Sequence, residues 1–311
     1  MERALTASLA VWVVFGMGVP ASAYAQANEP GPPKIIHRTN PHGVGLSAPS
    51  GSTTATSPIL NHGGPIILTP TIYIIWYGNW NQSNGSDTPA GQQIVHDFAG
   101  TLGGSPYFTD INGSYGVAQA LLAKETTDSY SRGTRLRDAD VQLVVTSAIS
   151  SGRLPYDANG VYFVLSSSDV SELSGFCKMY CGWHTAATPT VGHIRYAFVG
   201  NPNRCLNACA IQTVGPNGNA GADAMVSVIA HELDEAASDP DLNAWYDKNG
   251  SENADKCAWT FGHAQYQVAN GAWANLPLGS RNYLIQRNLF HNLLPPNGPV
   301  GDYCMMDGTQ N

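Results

Sequence analysis

The chain has 311 residues and a formal net charge of −8, which excludes nucleic acid as its natural partner, because a phosphate backbone rewards a basic face. Charged side chains make up 12% of it, against roughly 25% in ordinary soluble domains. Glycine and uncharged polar residues take their place, a composition that suits an extracellular protein and leaves an acidic excess able to bind cations.

Residues 1–25 read as a secretory signal peptide. Met1-Glu2-Arg3 is a charged start, residues 9–19 are apolar, and Ala21, Ala23 and Ala25 give the small-residue cleavage pattern. The apolar run is too short to span a bilayer, which needs about 20 residues. The protein is therefore expected to be secreted, with no membrane association after cleavage. Residues 26–60, rich in Pro, Gly, Ser, Thr and His without apolar periodicity, read as a flexible N-terminal segment. The folded domain is expected over 61–311.

Within it, the β-branched and aromatic run 66–78 predicts a buried strand. Residues 89–102 carry Ile94, Phe98 and Leu102 at helical spacing behind Pro89. A strand is expected over 117–124, and a helix from Asp138, read as its cap, through Ile149. Residues 161–165 and 193–199 predict two more strands, and 222–238 a second long helix after the Gly/Asn-rich stretch 215–221. Residues 259–311 alternate short strand-like pieces with turns. There is no internal repeat, and the reading is a single α+β domain with a mixed sheet packed against helices.

Six cysteines, an even number, suit an exported chain with disulfides. Their spacing offers two local pairs, Cys177–Cys181 and Cys205–Cys209, and one distant pair, Cys257–Cys304. A zinc cluster is the rival reading, but the ligand spacing for one is missing.

Chemistry concentrates on the helix 222–238. Met225, Ile229, Leu233 and Ala236 form its core stripe, and His231 and Glu235 share a neighbouring column with Ala224 and Val228, which leave room for a ligand. Ser227 and Asp234 are expected to face water. Pro240 ends the helix. Zinc hydrolases place two ligands at i and i+4 on a helix, with a glutamate at i+1 as general base. In this H-E-x-x-E version His231 and Glu235 would hold a metal and Glu232 would activate water. Asp241, in the register of the elongated motif, is the first candidate for a third ligand and Asp255 the second, with Asp239 and Glu252 within reach. The motif makes Zn2+ the expected ion, and glutamate in place of the second histidine makes the site harder and more tolerant of Ca2+ or Mn2+. The competing reading is an ordinary helix with a surface His–Glu pair and turn carboxylates.

Other features carry less. No G-x-S-x-G elbow is present. Ser166, Ser167, Ser168 and Asp169 read as a polar strand end. Asp247 to Glu252 misses the twelve-residue calcium-loop spacing. Trp76, Tyr77 and Trp80 suit core packing better than sugar stacking, and His184 and His193 read as structural.

Several segments together resemble one family. His62-Gly63-Gly64-Pro65, Ile74-Ile75-Trp76-Tyr77-Gly78-Asn79-Trp80, Val161 to Val170, Gly175-Phe176-Cys177, Cys181-Gly182-Trp183-His184 and Phe198-Val199-Gly200-Asn201 resemble the phosphate-induced protein 1, or EXORDIUM-like, family. The resemblance implies a secreted protein of the plant apoplast or a microbial counterpart, the latter being the type this chain looks like. Plant members are linked to cell expansion and growth signalling, and no catalytic residue set is carried over with the family. Three expectations stand: a metal-dependent, peptidase-like hydrolase; a non-catalytic module for a peptide or cell-wall polysaccharide; and a structural cation site pinning the helix end.

Overall fold

A computed structural model describes residues 34–41, 58–292 and 301–307. The expected leader and most of the segment 26–60 lie outside these residues. The fold is α+β, built on a six-stranded mixed sheet. Its members are β1 (Ile35–Arg38), β2 (Thr71–Tyr77), β3 (Leu121–Asp128), β4 (Gly160–Ser166), β5 (Tyr180–Ala187) and β6 (Ile194–Gly200), in the spatial order β1-β5-β6-β4-β2-β3. The four strands from β6 to β3 pair in parallel, while β5 and β1 add antiparallel at the other edge.

β2 and β4 are buried almost throughout, because strands inside a parallel sheet are covered on both faces, and their unbroken apolar runs are the sequence sign of that burial. Trp76, Tyr77 and Trp80 belong to this core, with the two tryptophan rings meeting edge to face at 4.8 Å.

Helix α1 (Pro89–Leu102) begins where Thr88 accepts a hydrogen bond from the Gly91 N–H, with proline at the first helical position. Helix α2 (Pro106–Gly113), which periodicity did not reveal, is capped in the same way by Ser105. In α3 (Asp138–Ser150) the cap is Arg137, not Asp138. Asp140 accepts the Arg137 N–H at 2.9 Å, and Asp138 turns to meet Lys34 at 2.8 Å. The long helix α4 (Ala220–Ser238) starts at Asn219, whose side chain accepts the Ala222 N–H.

Three expectations need correction. The strand placed at 117–124 lies at Leu121–Asp128. Val117 closes the turn after α2 by donating to the Asn112 carbonyl, and the true strand is a polar edge whose exposure hides its period. The segment read as flexible contributes β1, which pairs with β5 through Ile35–His184 and His37–Gly182. Four residues are too short a pattern to announce a strand that becomes stable only on docking.

The third correction is the disulfide pairing, which is Cys177–Cys205, Cys181–Cys209 and Cys257–Cys304. Only the distant pair was read correctly. Cys181 opens β5 and Cys209 closes the short helical turn Leu206–Cys209 packed beside it, so each cysteine bridges outward to the neighbouring segment. Among the described residues, no helix is long and apolar enough to cross a membrane.

Candidate metal centre

Helix α4 is buried on nearly every side. Met225, Ile229, Leu233 and Ala236 are in the core as their spacing requires. Asp234, expected to face water, is fully buried, and Ser227 accepts the Gln286 N–H at 3.1 Å. An amphipathic reading presumes one wet face, whereas α4 packs against α1, α2, β5 and β6 at once.

Strand β5 brings a histidine to this helix. Paired residues of adjacent strands share a face, so His37 and Gly182 point the same way, as does His184 two residues along β5. A Cβ on Gly182 would lie 2.6 Å from Val228 Cγ1 and 3.0 Å from Glu232 Oε1. Glycine there lets the helix sit close enough for His184 to reach the carboxylates of α4.

His184 Nδ1 lies 3.1 Å from Glu232 Oε2 and 3.5 Å from Glu235 Oε2, and its Nε2 lies 3.5 Å from Glu252 Oε2. On the other side of Glu235, His231 Nε2 is 3.1 Å from Oε1 and 3.7 Å from Asp255 Oδ1. The Asp255 N–H donates to the same Glu235 Oε1 at 3.0 Å. Two ligand triples therefore share Glu235: His184–Glu232–Glu235 and His231–Glu235–Asp255. Behind His231, the Gln286 amide nitrogen lies 3.0 Å from His231 Nδ1 and 2.6 Å from His37 Nε2, and the His37 and His231 rings are 4.1 Å apart.

Glu232, Glu235, Asp239 and Glu252 are fully buried, and the Asp255 side chain is 19% exposed. Burial pushes the Glu232 carboxyl up to about 7, the nearby imidazoles opposing it. Burial and the Glu235 charge drive Glu252 well above the carboxylate range. Glu235 goes the other way: burial works to raise it, but His231 and His184 hold it down at about 2. Burial works against charge on His184, yet Glu232 and Glu235 carry it up to about 9.

Seven polar atoms here, fully enclosed, make no well-formed hydrogen bond among the described residues: Oε1 of Glu232, Oε2 of Glu235, Oδ2 of Asp239, both oxygens of Glu252, and Nε2 of His184 and of His231, which lie 3.5 and 3.1 Å from carboxylate oxygens. Each such group costs about 1–3 kcal/mol. A mixed imidazole and carboxylate donor set of this density fits a divalent cation.

The sequence-predicted residues fall unevenly. His231, Glu235 and Asp255 come together, with Glu252 and Asp239 nearby, and Glu232 is present but turned to His184. Asp241 is elsewhere, held by Arg195 at 2.8 Å and His193 at 2.7 Å. It follows Pro240, and the chain has already left the helical register that would have aimed it at the site. His184, read as structural, joins this cluster, and His37 lay in a stretch read as flexible. The Ile35-Ile36 pair before His37 was the one available hint of a strand.

A small pocket of about 20 Å³ lies beside His37, with Ala224, Val228, Trp259 and Phe261 also among its lining residues, and the clustered carboxylates do not line it.

Residues 106–283 match the family model described as phosphate-induced protein 1 conserved region. Among curated proteins, the chain is similar to Protein EXORDIUM-like 5 of Arabidopsis thaliana, at 36% identity over 220 residues covering 60% of this chain and 58% of that protein. It is also similar to Protein EXORDIUM-like 3 of the same plant, at 32% identity over 284 residues covering 76% of this chain and 82% of the relative. A tobacco relative, Protein PHOSPHATE-INDUCED 1 of Nicotiana tabacum, is 24% identical over 234 residues, 63% of this chain and 70% of its own. No solved structure matches significantly.

Proposed function

This chain belongs to the phosphate-induced protein 1 family, and we propose that it is a secreted, divalent-cation-binding member whose centre lies on α4 around Glu235. The observation that carries the reading is the set of seven buried donor and acceptor atoms, none with a well-formed hydrogen bond, converging from α4, β5 and the segment 252–255. Three disulfides and the signal-like leader support secretion. The cation ties helix, strand and loop together, in a protein that recognises an extracellular peptide or cell-wall polysaccharide.

The hydrolase reading has one specific support, the H-E-x-x-E pattern of His231, Glu232 and Glu235 on the helix. Against it, Glu232, the expected base, is fully buried and engaged with His184. Elemental analysis of the purified mature protein tests the main reading. A stoichiometric divalent metal is expected, and a metal-free wild type that takes up neither Zn2+, Mn2+ nor Ca2+ would sink it. Hydrolysis of a peptide library, abolished in Glu232→Gln with the metal retained, would replace recognition by catalysis.

A further inference from the structure

We propose that the cation sits on the His184 side of Glu235, held by His184 Nδ1 and the carboxylates of Glu232 and Glu235, while His231 positions Glu235 without touching the ion. This rests on the divalent-cation reading above and assigns its ligands, reversing the role that the helical motif gives to its own histidine.

The first argument is where the unpartnered atoms lie. Glu235 Oε1 already accepts the Asp255 N–H and faces His231, whereas Oε2 has no hydrogen-bond partner and faces His184. Glu232 Oε1 and both oxygens of Glu252, carried by residues that approach His184, are likewise unpartnered.

The second argument is the protonation that the hydrogen bonds impose on His231. The backbone N–H of Trp259 donates to Gln286 Oε1 at 2.6 Å, which fixes the amide and turns its NH2 toward His231 Nδ1 and His37 Nε2. Both ring nitrogens accept. Whether a neutral imidazole accepting at Nδ1 or an imidazolium, His231 carries a proton on Nε2, and Nε2 points at Glu235 Oε1. His231 then has no lone pair for a metal, but it does have a proton with which to hold Glu235 in place.

His184 has the opposite surroundings. Its Nε2 faces the Glu252 carboxylate, so an Nε2–H directed there leaves the Nδ1 lone pair free, the carboxylate–histidine–metal relay in which an outer carboxylate sets the tautomer. Distances agree. Two atoms each about 2.1 Å from one ion stand roughly 3.0–3.4 Å apart in octahedral or tetrahedral geometry. The Nδ1 separations of 3.1 and 3.5 Å to Glu232 and Glu235 fall close to that span, whereas on the other side only the 3.1 Å from His231 to Glu235 does and the 3.7 Å from His231 to Asp255 is wider.

X-ray absorption of the zinc-loaded wild-type protein reads the number of imidazole ligands without any substitution. A single imidazole in an oxygen-rich shell is expected, and two imidazoles overturn the assignment. Titration with Zn2+ then identifies the residue. His184→Ala should lose the site, His231→Gln, whose amide can still donate to Glu235, should keep the stoichiometry with a roughly 10-fold weaker Kd, and His231→Ala should weaken it further, up to about 100-fold. Loss of binding in His231→Gln with retention in His184→Ala overturns the proposal. A wild type that binds no metal is instead the failure of the underlying reading.

Discussion

Two faces of one helix treat buried carboxylates in opposite ways. On one, Asp234 receives the Asn112 and Asn288 amides at 2.7 Å each and the Tyr107 hydroxyl at 3.1 Å. On the other, Glu232 and Glu235 face histidines and further carboxylates, and oxygens are left without a donor. Both faces are fully buried. The difference is the partner. Neutral donors that match a carboxylate's lone pairs make it a structural bolt, whereas acids gathered on acids must be neutralised, by protons or by a cation.

The strongest way to break this contrast is Asp234→Ala, which strands the Asn112 and Asn288 amides and leaves the Tyr107 hydroxyl only the Gln286 carbonyl. It should cost about 3–4 kcal/mol in urea unfolding, with metal content in the folded fraction unchanged. Lost metal would mean the faces are not separate. Burial raises Asp234 to about 7, its three donors opposing. A raised carboxyl stabilises most fully below the unfolded value of 3.8 and loses that contribution as pH climbs through about 7. Unfolding free energy measured from pH 4 to 7 should therefore decline, and Asp234→Asn should flatten that component.

Removing the cation comes next. Chelation from a solution holding metal at about 100 times Kd should cost about 2.7 kcal/mol, a Tm drop of roughly 5–10 °C by calorimetry. An unchanged Tm would argue that the acidic face needs no ion.

Glu252→Gln sharpens the contrast by changing sign. In the metal-free protein it removes one of several crowded acids and should gain roughly 1 kcal/mol, while with metal present it should weaken binding about 10-fold. Destabilisation under both conditions would place Glu252 with Asp234 as a structural acid. Smallest of all, Asp241→Asn breaks a partly exposed pair with Arg195 and His193 and should cost about 0.5–1 kcal/mol with no change in metal affinity, as measured by titration. A lost metal would return Asp241 to the ligand set.

The sequence by itself determined the elements whose pattern is local. Buried strands at Thr71–Tyr77 and Gly160–Ser166 and the helices at Pro89–Leu102 and Ala220–Ser238 follow from apolar runs, periodicity, caps and a terminal Asp-Pro. It also placed His231 and Glu235 on one column and made Asp255 a candidate partner. Only the tertiary structure decided the rest. Cysteine pairing, burial of Asp234 and the arrival of His37 and His184 depend on which strand docks beside which helix. His184 lies 47 residues before His231 by number, and no spacing rule links a residue on a β-strand to one on a distant helix. Local periodicity says which way a side chain points along its own element; what it meets there is set by packing between elements.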